Sequence, residues 1–89
     1  NGIESVAYPN PFVTKVNISF KSLASGNATI QLFDITGRKL GFIYRPNVIA
    51  GTINIVEYNV PLNTPSVIFY RVIIGNKFAT GKVIAASGL

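Results

Sequence analysis

The sequence predicts an all-β fold, an antiparallel β-sandwich of six or seven short strands. Three observations carry that expectation. Apolar residues recur with period two along nearly the whole chain. Gly, Pro, Asn and Ser gather between the apolar runs at regular spacing, as turns between short strands require. No stretch sustains the spacing of an amphipathic helix of ordinary length. The 89 residues, 48% of them hydrophobic, make a single domain over 1–89. Its core is large enough for independent folding but too small to enclose a deep cavity.

Residues 1–7 read as a linker or a partial first strand. "YPNPF" (Tyr8 to Phe12) comes next. Pro9 and Pro11 remove two backbone donors around Asn10 and favour an extended, ladder-free entry segment that marks the edge of the domain. "KVNISFK" then alternates cleanly, with Val16, Ile18 and Phe20 on one face and Lys15, Asn17, Ser19 and Lys21 on the other. "SGN" supplies a turn, and "ATIQLFD" places Ala28, Ile30 and Leu32 inward. In "DITGRKL", Asp34 can accept from its own backbone two residues on, and Gly37 can take positive φ.

"KLGFIYR" gives a third full strand, on which Leu40, Phe42 and Tyr44 share a face and are expected in the core. "RPNVIAG" reads as a loop, with Gly51 opening the strand "TINIVEY". There Ile53 and Ile55 share one face while Val56 and Tyr58 share the other; a β-bulge near Val56-Glu57 would use all four. "SVIFYRVII" is apolar on both faces, as for a central strand packed on two sides. Gly75-Asn76 is a two-residue hairpin signal, "KFATGKVIA" is the last strand, and 85–89 reads as a fraying tail. Together these elements suggest an immunoglobulin-like build.

The chain opens on Asn1 and holds no methionine, as expected of a piece excised from a longer protein. The longest apolar run, Val67 to Ile74, is interrupted by Arg71 and too short to span a bilayer. Net charge is +5, from eight basic and three acidic residues. The basic groups fall singly except for Arg38-Lys39, so the pattern reads as solvated strand faces rather than a nucleic-acid patch.

Catalytic chemistry is poorly provided for. With no His and no Cys, there is no side chain that titrates near neutrality unperturbed, and no thiol nucleophile. Glu4, Asp34 and Glu57 sit on separate elements. Asp34 fits a turn and Glu57 an outward strand position, so neither a carboxylate pair nor a hard-metal site is expected. The chain reads as a non-enzyme without cofactor or metal.

Several motifs occur in a telling order: "YPNPF" before a strand, "LFDITGRKL" at a hairpin, "AGT" opening a strand, and "FYRVIIGNKFATGKVI" at the end. From about Val6 to Ile84 this order resembles the C-terminal sorting domain, type A, of the type IX secretion system of Bacteroidetes. The resemblance implies an immunoglobulin-like signal domain. It would direct a preceding cargo through the periplasm and across the outer membrane to the cell surface or medium. A translocon would read it, and a sortase-like cysteine protease would remove it.

By the same resemblance, Pro9, Asn10, Pro11, Gly37, Gly51 and Gly75 match fold motifs. Tyr70, Arg71, Lys82, Val83 and Ile84 match the sorting-signal region. From their own setting, Tyr70 reads as core, and Lys82 equally as a contact or as an edge-guarding charge. A weak homodimer through a sheet edge stays open.

Two other readings remain at this point. A carbohydrate-binding or fibronectin-like adhesion module would place Phe42, Tyr44 or Tyr70 on the surface. A structural immunoglobulin-like spacer would occur in tandem copies.

Overall fold

The computed structural model describes residues 2–61 and 66–86. Among the described residues seven strands run β1 (Ile3–Tyr8), β2 (Lys15–Ser22), β3 (Gly26–Phe33), β4 (Lys39–Val48), β5 (Ile53–Asn59), β6 (Val67–Ile74) and β7 (Lys77–Ile84). They form two antiparallel sheets, ordered β1-β2-β5 and β4-β3-β6-β7. This is an immunoglobulin-like sandwich with the fourth strand paired to the third.

Period-two alternation sets the core. Val16, Ile18 and Phe20 of β2 face Ala28, Ile30 and Leu32 of β3 and Ile68, Tyr70, Val72 and Ile74 of β6, all buried. Removing one such Val, Ile or Phe side chain from water contributes about 1.5–3 kcal/mol. Opposite faces of the strands carry the polar residues, including Lys15 and Glu57, whose side chains pair at 3.1 Å while half exposed. Such a pair adds at most about 1 kcal/mol.

The β3–β4 hairpin is built around Asp34. Its Oδ1 accepts from the Thr36 hydroxyl (2.6 Å), the Thr36 amide (2.9 Å) and the Arg38 amide (3.0 Å), and its Oδ2 accepts from Arg38 Nε at 3.1 Å. Gly37 takes φ +90° to close the turn. The Thr36 hydroxyl, the Thr36 and Arg38 amides and the Arg38 charge hold the Asp34 carboxyl below its ordinary value, against a smaller opposing effect of burial. A depressed folded pKa contributes stability above the unfolded value, near 3.8, and that stability is lost as pH falls through the folded value. Acid titration of thermal stability should therefore show a component below about pH 4 that Asp34→Asn abolishes.

The structure departs from the sequence reading on β4 and β5. Opposite β3, the partner steps from Gly41 at Leu32 to Lys39 at Phe33, so Leu40 is the extra residue of a β-bulge. One extra residue flips the parity of the strand beyond it. Leu40 therefore packs on the core while Phe42 and Tyr44 point outward, 65% and 56% exposed; Ile43 turns inward instead. On β5 the pairing with β2 is regular from Ile53 to Asn59, with no bulge at Val56-Glu57. Val56 and Tyr58 face the core, and Ile53 and Ile55 are left on the surface.

Residues 45–48, expected as loop, continue β4 to Val48. A second irregularity between Gly26 and Ala28 accommodates Pro46 and Asn47, the latter at φ 59°. Proline is tolerated there because β4 is an edge strand. Arg45, beside Pro46, points away from Phe42 and Tyr44 and donates to the Ile55 carbonyl at 3.0 Å, bridging the two sheets.

The segment before the prolines is a full strand, β1, paired with β2 from Ile3 to Tyr8. The proline segment thus joins two strands of the fold and does not mark its outer edge. β6 is central in its sheet, but only its inner face meets the other layer.

Candidate functional site

The five sorting-signal candidates lie on β6 and β7, joined by the two-residue turn Gly75-Asn76. Gly75 has φ +60°, which a hairpin of this length favours at its first central residue. Pairing runs Val67↔Ile84, Ile68↔Val83, Phe69↔Lys82, Tyr70↔Gly81 and Arg71↔Thr80. Alternation then divides the candidates. Tyr70 and Val83 are buried, 4% and 0% exposed. Arg71, Lys82 and Ile84 stand on the outward face.

The inward set is tightly fitted. Tyr70 lays its ring across Gly81, where a Cβ would stand 2.5 Å from the Tyr70 hydroxyl oxygen and 2.6 Å from ring carbons. The same hydroxyl shares a 3.0 Å hydrogen bond with Ser5 of β1, tying the two sheets together. Tyr58 offers a contrast. Its hydroxyl is sealed from water with no partner among the described residues, and burial pushes the phenol pKa up. Tyr70→Phe should cost about 1 kcal/mol, whereas Tyr58→Phe should be neutral or stabilising, because only the first forfeits a hydrogen bond. Chemical denaturation of the two variants checks the contrast.

On the outward side, Phe33, Phe69, Arg71, Thr80 and Lys82 surround a shallow depression of about 380 Å³ over Tyr70 and Gly81. The Arg71 guanidinium lies 5.9 Å from the Phe33 ring centre and 5.5 Å from that of Phe78, close enough for cation–π attraction. Glu4 lies on β1, Glu57 pairs with Lys15 and Asp34 is bound within its own turn, so the carboxylates do not converge. The outward groups of β6 and β7 offer a surface for recognition.

A family model described as a secretion system C-terminal sorting domain matches residues 6–85. The chain belongs to that family. It is a C-terminal sorting signal for type IX secretion, the tail of a cargo destined for the cell surface or the extracellular space. No curated protein and no solved structure matched the chain. The exposed Phe42 and Tyr44 are rings that an adhesion module would also display, but exposed rings serve any docking surface, and the family match decides for sorting.

In this sorting domain the proline motif meets the final strand. Phe12 donates its amide to the Ile84 carbonyl at 2.9 Å, Ala86 donates to the Phe12 carbonyl at 2.7 Å, and the Ile84 amide donates to Asn10 Oδ1 at 3.0 Å. Phe12 and Ala85 form a parallel bridge, and the Phe12 ring is buried. Tyr8-Pro9 and Asn10-Pro11 are both cis, where a simply extended segment was expected. Ala85 and Ala86 are hydrogen-bonded rather than frayed; the rest of the expected tail, 87–89, lies outside the described residues.

Gly37 and Gly51 occupy positive-φ turns as the motifs suggested. Missed from the sequence were Gly81, Phe33 and Phe69. Counting outward from the Gly75-Asn76 turn puts Gly81 opposite Tyr70 and Phe69 opposite Lys82, so hairpin register was the available signal. Nothing local in the sequence marks Phe33, which reaches the site only because β3 pairs with β6.

Proposed function

We propose that the type IX translocon reads this sorting domain at the outward face of β6 and β7. Arg71, Lys82 and Ile84 act as contact residues, while Tyr70 and Val83 hold the strands that present them. The domain follows its cargo, is read in transit through the periplasm, and is then removed by a sortase-like cysteine protease. The observation that supports this reading is the division of the candidates by strand alternation: the charged residues share one accessible face, and the buried ones stand behind it. A homodimer through the β7 edge is disfavoured near Ile84, because Asn10 and Phe12 already occupy its amide and carbonyl.

The test fuses the chain to a periplasmic reporter in a bacterium with working type IX machinery. Arg71→Ala combined with Lys82→Ala should lower the exported fraction by roughly tenfold, the scale of about 1.4 kcal/mol of lost recognition, without lowering the melting temperature. Export at the unsubstituted level would refute the assignment of these two residues.

A further inference from the structure

We propose that the whole outer face of the β4-β3-β6-β7 sheet is a docking surface for an acidic polypeptide. This deepens the sorting reading and rests on it. The face is built by register. Phe42 lies opposite Gln31, Tyr44 opposite Thr29 and Lys39 opposite Phe33 on β4–β3. Gln31 lies opposite Arg71, Thr29 opposite Ile73 and Phe33 opposite Phe69 on β3–β6. β7 adds Phe78, Thr80 and Lys82. Aromatic rings therefore occur on every strand of one sheet face, and no layer of the described residues covers them.

Charge names the partner. Lys39, Arg71 and Lys82 stand on this face. Among the described residues its strands carry no carboxylate, and the nearby Asp34 is taken up by Thr36 and Arg38. The opposite sheet is balanced: Lys15 pairs with Glu57, and Lys21 lies opposite Glu4. The uncompensated cationic charge of the sheets' outer faces is thus gathered beside aromatic rings, which a carboxylate-bearing partner complements.

The mix of rings and cations on this face suits a polypeptide better than a lipid surface or a glycan. The depression at Arg71 and Lys82 is joined by another of about 400 Å³ along Phe33, Asp34, Ile35, Gly37, Phe69 and Arg71. The two share Phe33, Phe69 and Arg71, so they form one open furrow lined by rings and a guanidinium, and a protein surface supplies acidic and apolar side chains together. Four strands about 4.8 Å apart and eight residues long, at about 3.3 Å per residue, give a face of roughly 500 Å². That is below the roughly 800 Å² per partner of a standard stable interface. It suits a signal that is read and then released.

The test uses the full chain behind the exported reporter. Phe42→p-benzoyl-phenylalanine places a photo-crosslinker on the proposed face, and the same substitution at Ile55 places one on the opposite sheet. In exporting cells, position 42 should crosslink to a protein segment rich in Asp and Glu, and position 55 should not. Arg71→Glu with Lys82→Glu should remove the adduct and lower export by roughly tenfold, while Lys21→Glu changes neither. If the charge reversal lowers the melting temperature, Arg71→Gln with Lys82→Gln replaces it.

An adduct to lipid or lipopolysaccharide, an adduct to a segment not enriched in acidic residues, no adduct at 42, or full export of the charge variant would overturn the docking surface. That the chain is a sorting signal would survive each of these, although full export of the charge variant would also end the assignment of Arg71 and Lys82 as contacts. Failure of the unsubstituted fusion to leave the cell would end both.

Discussion

Phe12→Ala is expected to cost about 3–5 kcal/mol, as removal of a buried Phe does when the surroundings cannot collapse. That is a large part of the roughly 5–15 kcal/mol available to a small domain. Phe12 is 2% exposed and belongs to the core cluster. Its backbone also carries two of the hydrogen bonds that close the end of β7. Truncation should therefore loosen the final strand before the rest of the sandwich, and amide exchange at Ile84 and Ala86 should accelerate more than at Val72. Asn10→Ala makes a useful comparison, because it removes one acceptor and leaves the ring in place. It should cost about 1 kcal/mol and expose only the Ile84 amide. A loss below about 1 kcal/mol for Phe12→Ala would mean that the proline segment merely lies against the fold.

Gly81→Ala should reverse the usual sign. In a strand interior, alanine ordinarily improves on glycine because it lowers the entropy of the unfolded chain. At position 81 the added methyl would lie 2.5 Å from the Tyr70 oxygen and 2.6 Å from its ring, and the ring is held by Ser5 and the packed sheets. Overpacking of this kind costs about 1–3 kcal/mol, a fall in melting temperature of roughly 10 °C for a domain of this size. In a Tyr70→Leu background the same methyl meets no ring, so the penalty should shrink or vanish. Equal penalties in the two backgrounds would show that the close approach of Tyr70 and Gly81 is not what excludes a side chain. Gly41 has a milder version of the same constraint, since a Cβ added there would stand 3.3 Å from Tyr58 Cε1.

Much of the architecture was legible because alternation is strong where both sheet faces differ. The inward residues of β2 and β3 were read correctly, the last strand was placed without its faces, and the Asp34 and Gly75 turns announced themselves through their chemistry. β4 did not, for a physical reason. A bulge carries no composition signal of its own, and Leu40, Phe42 and Tyr44 look like one apolar face until Leu40 is inserted as an extra residue. On β5 the attempt to bury Ile53 and Ile55 with Val56 and Tyr58 invented a bulge, whereas the fold leaves the first two on the surface.

The candidate site was half visible. Lys82 and Arg71 could be named from the ordered motifs, but their shared face depends on strand register, and the contribution of Phe33 depends on a long-range pairing. Nor could the sequence show that Asn10 and Phe12 meet Ile84, because that contact joins segments far apart along the chain.

We propose that this chain is a sufficient address for export. The most direct measurement is the location of a reporter protein carrying all 89 residues at its C-terminus, in a bacterium whose type IX machinery is shown to be working. The reporter should reach the cell surface or the medium, and should stay inside in a strain lacking the translocon. A reporter retained in the periplasm of the competent strain would show that the chain is not a sufficient export signal.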